Sequence, residues 1–392
     1  MLSGGKSMTV KVDPNLMKDL EVFGLKDAKK CFHCGNCTAV CPLSTEDNPF
    51  PRKLVKWAQM GLKDKILKSP EPWLCYYCGD CSDRCPRGAD PGETMMAMRR
   101  YLTSKYDWTG FARKFYTSER FEIIAVAVVG VLIGLALWIF HADHPNMEHA
   151  YLNTVWPAPA IEIADLVMAA ILSILLLSNT WRCVKFTMGD LLRKIPLKIY
   201  IRQAWHLILH FVTQLRFAQC ENRMQWLVHL LIMTGYSTVF LLVAVFLSGG
   251  LEVIGLAWEP IRFQRDVIYP IWHPMRILGY YATFAIFYGT TYAIVGRLKK
   301  SKAPYKNSHG TDWMFLILLE LTTLTGILIH FTRLFDLALT TYIIYVIHLM
   351  IAVPMLVLEV PFSKWAHLAF RPVIFYLTKV KEQYRQEQKA VA

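Results

Sequence analysis

Long apolar segments constrain this chain more than any other feature of its sequence. Residues 337–358 contain no Asp, Glu, Lys or Arg, and a run of that length can cross a bilayer as one α-helix. Hydrophobic residues make up 54% of the chain, which is too apolar for an ordinary soluble protein. We predict a mainly α fold with six membrane spans, at about residues 122–140, 161–181, 226–248, 273–295, 313–332 and 340–362.

The distribution of Lys and Arg predicts the topology. Segments 182–225, 296–312 and 364–392 carry nineteen of these residues, whereas segments 141–160, 252–272 and 331–341 carry three. By the positive-inside rule, both termini are expected to be cytoplasmic and the chain a multi-pass protein of the inner membrane. The first residues contain no apolar stretch, so we expect no secretory signal.

Eight of the ten cysteines form two copies of the pattern C-x2-C-x2-C-x3-C-P, at residues 31–42 and 75–86. This spacing is typical of two [4Fe–4S] clusters, with the fourth cysteine of each copy ligating the other cluster. Two structural zinc sites are the alternative, but zinc motifs do not need a third close cysteine followed by Cys-Pro. The predicted ligand sets are Cys31, Cys34, Cys37 and Cys85 for one cluster, and Cys75, Cys78, Cys81 and Cys41 for the other.

These patterns divide the chain into four parts. Residues 1–105 are predicted to form a helical, ferredoxin-like cytoplasmic domain with two clusters, followed by a connector at 106–121. A transmembrane haem b domain spans 122–370 and includes an amphipathic cytoplasmic segment at 190–219. Residues 371–392 form a cytoplasmic tail. Cys183 and Cys220 lie outside the motifs and are predicted to be inert thiols.

Histidines at the predicted spans indicate haem, because an ionisable residue in the membrane is costly and usually functional. His229 near the start of the third span and His367 after the sixth lie at similar depth, so they could hold one haem iron between two helices. His348 lies nearer the outer side and needs another partner. Each of these histidines could instead be a buried, hydrogen-bonded residue without a ligand.

The partner of His348 is left open by the sequence. His273 and His330 both lie near the outer side, and depth does not separate them. Arg276 and Arg333 stand close to these two histidines and could pair with haem propionates. Glu320 and Glu359, in the fifth and sixth spans, could relay quinone protons or could be tolerated residues that face the protein interior.

The motifs resemble known families. The cysteine domain resembles the C subunit of heterodisulfide reductases, and the membrane part resembles the haem b subunit of respiratory nitrate reductases. The most specific part is the last span, where His348 is followed by Pro-Phe-Ser-Lys at 361–364 and then His367. The resemblance implies that His348 and His367 each ligate one of two haems, with His229 as the partner of His367. In that family, the helix that corresponds to the one with His229 carries a second histidine, which ligates the other haem. This chain lacks that histidine, so the resemblance leaves its role to His273 or His330.

One chain that joins both modules resembles the C subunit of the quinone-interacting membrane-bound oxidoreductases (Qmo) of sulfate reducers. The resemblance implies two haems b, two [4Fe–4S] clusters and menaquinone as substrate. It also implies flavoprotein and iron–sulfur partner subunits that exchange electrons with adenylylsulfate reductase during sulfate respiration. No partner nucleic acid is expected.

We therefore expect an electron-transfer subunit of a quinone oxidoreductase, which passes electrons from menaquinol through haem b and two clusters to soluble partners. The chain lacks a Gly-rich dinucleotide fingerprint, so it should bind no flavin or NAD itself. An equivalent subunit of a sulfite-reductase-linked or heterodisulfide-reductase-type complex is the nearest alternative. A zinc-binding membrane anchor without redox chemistry is the remote one.

Overall fold

The computed structural model describes residues 11–243 and 269–391, and the regular structure in these ranges is helical. An isolated bridge joins Thr45 and Asn48, and no β-strand occurs within the described ranges. The mainly α prediction is therefore confirmed. The α-helices are α1 Leu16–Val22, α2 Asn36–Val40, α3 Arg52–Gln59, α4 Lys63–Leu67, α5 Glu71–Leu74, α6 Asp80–Asp83, α7 Pro91–Tyr106, α8 Phe111–Thr117, α9 Glu119–Ile139, α10 Ala158–Met188, α11 Leu191–Lys194, α12 Leu197–Thr213, α13 Arg223–Leu241, α14 Pro274–Lys299, α15 Ala303–Lys306, α16 Gly310–Leu334, α17 Ala338–Pro354, α18 Val360–Phe362 and α19 His367–Val391.

The N-terminal domain folds around an apolar core shared by α1, α3 and α7. Leu16 and Leu20, four residues apart on α1, are fully buried against Leu54 of α3 and Met95 and Met98 of α7. Apolar residues at helical spacing place one stripe of each helix in this core. The domain is thus a small set of short helices that carries the cysteine loops between them.

Five helical segments are long and apolar enough to cross a membrane: Glu119–Ile139, Ile163–Met188, Arg223–Leu241, Gly310–Leu334 and Ala338–Phe362. They correspond to the first, second, third, fifth and sixth predicted spans. Residues 244–248 of the predicted third span lie outside the described residues. The fourth predicted span is the 26-residue helix α14, which is not among the five because its many Tyr and Thr residues lower its hydropathy.

Helix α14 nevertheless runs between the same two ends of the bundle as its neighbours. Just after its C-terminus, Pro304 packs against Gly79 of the N-terminal domain, where an added Cβ would lie 2.6 Å from the Pro304 ring. The C-terminal part of α10 reaches the same domain, because Arg182 donates to the carbonyl of Tyr106 at 2.7 Å. The C-terminal ends of α10 and α14 therefore both lie beside the N-terminal domain.

Small residues let some of these helices approach closely. A Cβ added at Gly130 of α9 would lie 2.7 Å from the carbonyl oxygen of Met350 on α17. A Cβ at Gly235 of α13 would lie 3.0 Å from the carbonyl oxygen of Ala282 on α14. Helices in bilayers commonly pack through such residues, since lipid gives them no hydrophobic drive to associate.

The last span does not continue as one straight helix to His367. A π-helical turn at Met355–Glu359 precedes α18, and Ser363 then leaves helical geometry with φ −120° and ψ −151°. His367 begins a new helix, α19. The region predicted as a tail, 371–392, is thus largely the continuation of α19.

The predicted amphipathic segment 190–219 consists of α11, α12 and a 3₁₀ turn at Phe217–Gln219. One side of α12 packs on α19, with Ile199 buried against Leu377 and Val380. Large apolar residues on its other side, such as Ile201 and Trp205, are exposed. That arrangement suits a helix that lies along a membrane surface.

At the end of the bundle away from the N-terminal domain, an ion pair joins the loop after α9 to the turn between α16 and α17. His149 Nδ1 lies 2.5 Å from Asp336 Oδ2, and the backbone N–H of Ala150 donates to Asp336 Oδ1 at 2.8 Å. The Asp336 carboxylate raises the pKa of His149. Conversely, the hydrogen bond from His149 lowers the pKa of Asp336.

We predict that this pair stabilises the fold within a window of pH. The lowered pKa of Asp336 sets the acid end of the window, and the raised pKa of His149 sets the alkaline end. The contribution of His149 is complete below its unfolded pKa and is lost as pH rises through its raised folded pKa. The contribution of Asp336 is present above its unfolded pKa and is lost as pH falls through its lowered folded pKa. Thermal unfolding in detergent should show Asp336→Asn less stable than wild type inside this window and converging with it at higher pH. A difference that is constant with pH would contradict the assignment.

Candidate functional site

The two cysteine loops share one backbone design. In each copy, the residue before the second cysteine has positive φ (His33 at 63° and Tyr77 at 54°), and so does the glycine after it (Gly35 at 97° and Gly79 at 95°). Non-glycine residues with positive φ are uncommon and concentrate at functional sites. Each glycine is also the N-cap residue of a short helix, α2 or α6. The repeated turn points three cysteines of each copy toward one place.

Thiols from both copies of the motif lie near one another. Burial raises the pKa of the Cys37 thiol, and the nearby thiols of Cys31, Cys34 and Cys85 raise it further. Burial likewise raises the pKa of Cys41 to about 12, and the thiols of Cys75, Cys78 and Cys37 add to that increase. A bound metal ion deprotonates the thiols that ligate it and offsets their mutual repulsion, so these crowded thiols suit metal or cluster ligation.

A cavity lies at the second group. It is lined by Cys41, Cys75, Cys78, Cys81 and, unexpectedly, Cys220. Arg99, from α7, donates hydrogen bonds to the carbonyls of Pro72 at 2.6 Å and of Cys75. The second cysteine loop is therefore held from the domain side by a half-buried arginine.

The same loop is docked on the membrane helices. Tyr76 stacks on Phe217 with ring centres 4.9 Å apart, and Phe217 meets His229 edge-on at 5.8 Å. The guanidinium of Arg371 lies 3.8 Å from the centre of the Tyr76 ring. Contacts between aromatic rings thus lead from the residue after Cys75 to a predicted haem ligand.

His229 and His367 face each other, with ring centres 6.2 Å apart. Metal–nitrogen distances of about 2 Å would place the centres of two imidazoles on one metal roughly 6 Å apart. Gln214 Oε1 lies 2.7 Å from His229 Nδ1, and the carbonyl of Lys364 lies 2.5 Å from His367 Nδ1. Each Nδ1–H can donate to its oxygen, which leaves both Nε2 atoms for a metal, the usual arrangement of histidine ligands.

His348 is separate from this pair. Its Nδ1 lies 2.8 Å from Thr325 Oγ1 on α16. Within residues 11–243 and 269–391, no other histidine ring packs against it. The structure therefore orients His348 without bringing it a histidine partner.

The two candidate partners have other contacts. Tyr280 OH and Arg276 Nη2 lie 3.1 and 3.3 Å from His330 Nε2. His273 stacks on Tyr269 at 4.3 Å, and its Nδ1 is buried without a hydrogen-bond partner. Arg333 lies near the end of the same helix as His330.

A series of buried and half-buried charges connects the N-terminal domain to the turn before His367. Arg100 Nη1 pairs with Glu93 at 2.8 Å, and its Nη2 lies 3.8 Å from Asp312 on α16. Lys364 Nζ lies 2.7 Å from the other oxygen of Asp312, and the carbonyl of Lys364 holds His367. These residues were not singled out by the sequence, because the pairing depends on contacts between distant segments.

The two intramembrane carboxylates have different surroundings. Glu320 accepts hydrogen bonds from the hydroxyls of Thr290 and Thr291, both on α14. Glu359 is fully buried and lies beside Glu122 of α9, which is also buried. Both carboxyl groups face neighbouring helices.

Comparison with known proteins identifies the cysteine-bearing part. Residues 27–89 match the family model of the 4Fe-4S dicluster domain, and all eight motif cysteines fall within them. This segment is a 4Fe–4S dicluster domain. No solved structure matches the chain.

Curated relatives match the N-terminal part. A protein of Archaeoglobus profundus that is named as similar to the C subunit of heterodisulfide reductase is 33% identical over 88 residues, which cover 22% of this chain and 47% of the relative. The iron-sulfur C subunit of the heterodisulfide reductase of Methanopyrus kandleri is 31% identical over 99 residues, or 25% of this chain and 47% of the relative. The chain therefore spans less than half of each of these relatives.

We predict that Asp312 is essential to the docking of the two parts. Removing it leaves the half-buried Lys364 without its partner and takes from the buried Arg100 one of its two carboxylates, so Asp312→Ala should lower the free energy of unfolding by about 3 kcal/mol. Asp83→Ala is the matched control, because Asp83 and Lys306 are exposed and 4.0 Å apart; that pair should contribute less than about 1 kcal/mol. Equilibrium denaturation in detergent micelles measures both, and equal effects of the two variants would contradict the prediction.

Proposed function

We propose that this chain is the membrane electron-transfer subunit of a quinone oxidoreductase. It accepts electrons from menaquinol in the bilayer and passes them to flavoprotein and iron–sulfur subunits on the cytoplasmic side. Through those partners the electrons go toward adenylylsulfate reductase. In this proposal both termini are cytoplasmic and the chain crosses the inner membrane six times.

One observation carries the proposal. The second cysteine loop and the His229–His367 pair are joined by the ring contacts of Tyr76 with Phe217 and of Phe217 with His229. Two groups of residues suited to redox centres thus lie side by side, one in a dicluster domain and one at the end of the membrane helices. A protein that only recruited partners would need no such proximity.

The residues present fit the implied cofactors. The ligand sets are Cys31, Cys34, Cys37 and Cys85 for one cluster, and Cys41, Cys75, Cys78 and Cys81 for the other. His229 and His367 would hold the iron of one haem b. When bound, the clusters and the haem would supply one-electron transfer at these places.

The surrounding residues orient and shield these ligands. Gln214 and the Lys364 carbonyl hold the two imidazoles by their Nδ1 atoms, which fixes the ring planes and directs Nε2 toward the metal. Phe217 is only 2% exposed and shields the space between the cysteine loop and His229 from water. Oxidation of menaquinol also releases protons, and Glu320 and Glu359 are the proposed acceptors.

A second haem b is proposed at His348, whose ring is already oriented by Thr325. His273 and His330 remain the two possible partners. The contacts of His330 Nε2 with Arg276 and Tyr280 make His273 the more available ring. Arg276 and Arg333 are the proposed partners of the propionates.

The other face of the dicluster domain suits the soluble partners. Cys34 is exposed, and Phe32, 58% exposed, stands next to the first cysteine of that group. Because the curated relatives are named after heterodisulfide reductases, a complex of that type is the second candidate. The subunits that co-purify with the chain distinguish the two.

Reduction by a soluble menaquinol analogue tests the proposal. In the purified full-length chain, the analogue should reduce the haem and then bleach the iron–sulfur absorbance. His229→Ala and His367→Ala should each abolish this bleaching, because each removes one ligand of the same haem, while dithionite should still reduce the clusters. His206→Ala, which changes an exposed histidine on α12, is the matched control and should behave as wild type.

Two results would contradict the proposal. Cluster reduction by the quinol at the wild-type rate in His367→Ala would mean that the histidine pair is not on the path. A wild-type protein with neither haem nor iron–sulfur absorbance would instead support the zinc-binding anchor.

A further inference from the structure

The cavity at the second cysteine loop contains one cysteine more than a cluster needs. A [4Fe–4S] cluster is held by four thiolates, and Cys41, Cys75, Cys78 and Cys81 supply them here. Cys220 lines the same cavity. It comes from the turn between α12 and α13, so the membrane part of the chain brings it to the dicluster domain.

Cys220 is held close to one ligand in particular. The sulfur atoms of Cys220 and Cys78 and a carboxylate oxygen of Asp80 all lie within 4.8 Å of one another. Cys220 is 4% exposed, so its thiol is directed at the protein and not at water. The first cysteine group has no counterpart among the residues that the structure describes.

Several contacts fix the turn that carries Cys220. The backbone N–H of Glu221 donates to Asp80 Oδ2 at 3.2 Å, and the Glu221 carboxylate pairs with Arg84 at 2.5 Å. Three residues before Cys220, Phe217 stacks on Tyr76. The position of Cys220 is thus set from both sides of the interface.

The chemistry of a neutral thiol beside a ligand thiolate is that of a weak hydrogen-bond donor. Hydrogen bonds to the ligand sulfurs help to set the reduction potential of an iron–sulfur cluster. A donor stabilises the reduced state more, because that state carries more negative charge, and it therefore raises the potential.

We propose that Cys220 donates an S–H hydrogen bond to Cys78 Sγ and raises the reduction potential of the cluster held by Cys41, Cys75, Cys78 and Cys81. This rests on the two-cluster function proposed above. Cys220 is in this view a positioning residue and not a ligand. The two clusters have the same cysteine motif, and this hydrogen bond gives them different reduction potentials. The cluster with the raised potential is the one beside the His229–His367 pair.

The test compares Cys220→Ala, Cys220→Ser and Cys183→Ala in the full-length chain. Cys183 is the matched control, because it is also buried and outside the motifs but packs with Trp73, Tyr106 and Phe370. Iron per chain and the midpoint potentials from an EPR-monitored redox titration are measured. We expect full iron content in all three, a shift of one cluster to lower potential in Cys220→Ala, and no shift in Cys183→Ala.

Cys220→Ser keeps a donor of similar size and should shift the potential less than Cys220→Ala, which separates the hydrogen bond from a packing defect. Unchanged midpoints in Cys220→Ala would overturn the proposal. Loss of about half of the iron in both Cys220 variants would also overturn it, because Cys220 would then be a ligand. Absence of clusters from wild type would instead refute the proposed function on which it rests.

Discussion

The packing of the N-terminal domain on the membrane helices depends most on the ion pairs of the Asp312 carboxylate. The carboxylate lies at the start of a membrane helix, between Lys364 at 2.7 Å and the buried Arg100 of the N-terminal domain at 3.8 Å. Arg100 also pairs with Glu93, and Glu93 accepts a hydrogen bond from Tyr77 in the second cysteine loop at 2.6 Å. One set of charges therefore positions the cysteine loop and the turn that supports His367 relative to each other.

That constraint matters to the proposed function, because electron transfer depends on the distance between redox centres, and the protein has to fix that distance. Polar contacts hold the backbone around the site: Arg99 holds the Cys75 carbonyl, and Lys364 holds His367. Aromatic rings fill the space between the second cysteine loop and the His229–His367 pair. Burying these charges costs desolvation energy, and their mutual pairing offsets much of it.

The sequence predicted the parts of the fold that depend on local pattern. The cysteine spacing predicted a dicluster domain, which residues 27–89 match, and the apolar runs located five helices that are long and apolar enough to cross a membrane. Helix α14 shows the limit of hydropathy as a way to find membrane spans. It runs beside the other long helices, but its tyrosines and threonines lower its mean hydropathy. The residues Pro361 to Lys364 indicate a turn before His367, but the sequence does not give its angle.

Contacts between distant segments were beyond the sequence. Cys220 was predicted to be inert because it belongs to no motif, yet the turn before α13 brings it into the cavity of the second cysteine loop. Gln214 and the Lys364 carbonyl carry no signal that marks them as partners of histidines. The partner of His348 stays a prediction, since neither His273 nor His330 packs against it in the described part of the chain.

The most direct test of the central claim is the cofactor content of the purified full-length chain. Iron, acid-labile sulfide, zinc and haem would be quantified, together with a dithionite-reduced minus oxidised spectrum, in wild type and His367→Ala. The account predicts about eight non-haem irons per chain in both proteins, and a haem b bound between His229 and His367 that only wild type contains. Zinc in place of iron, or a haem content that His367→Ala does not lower, would contradict it.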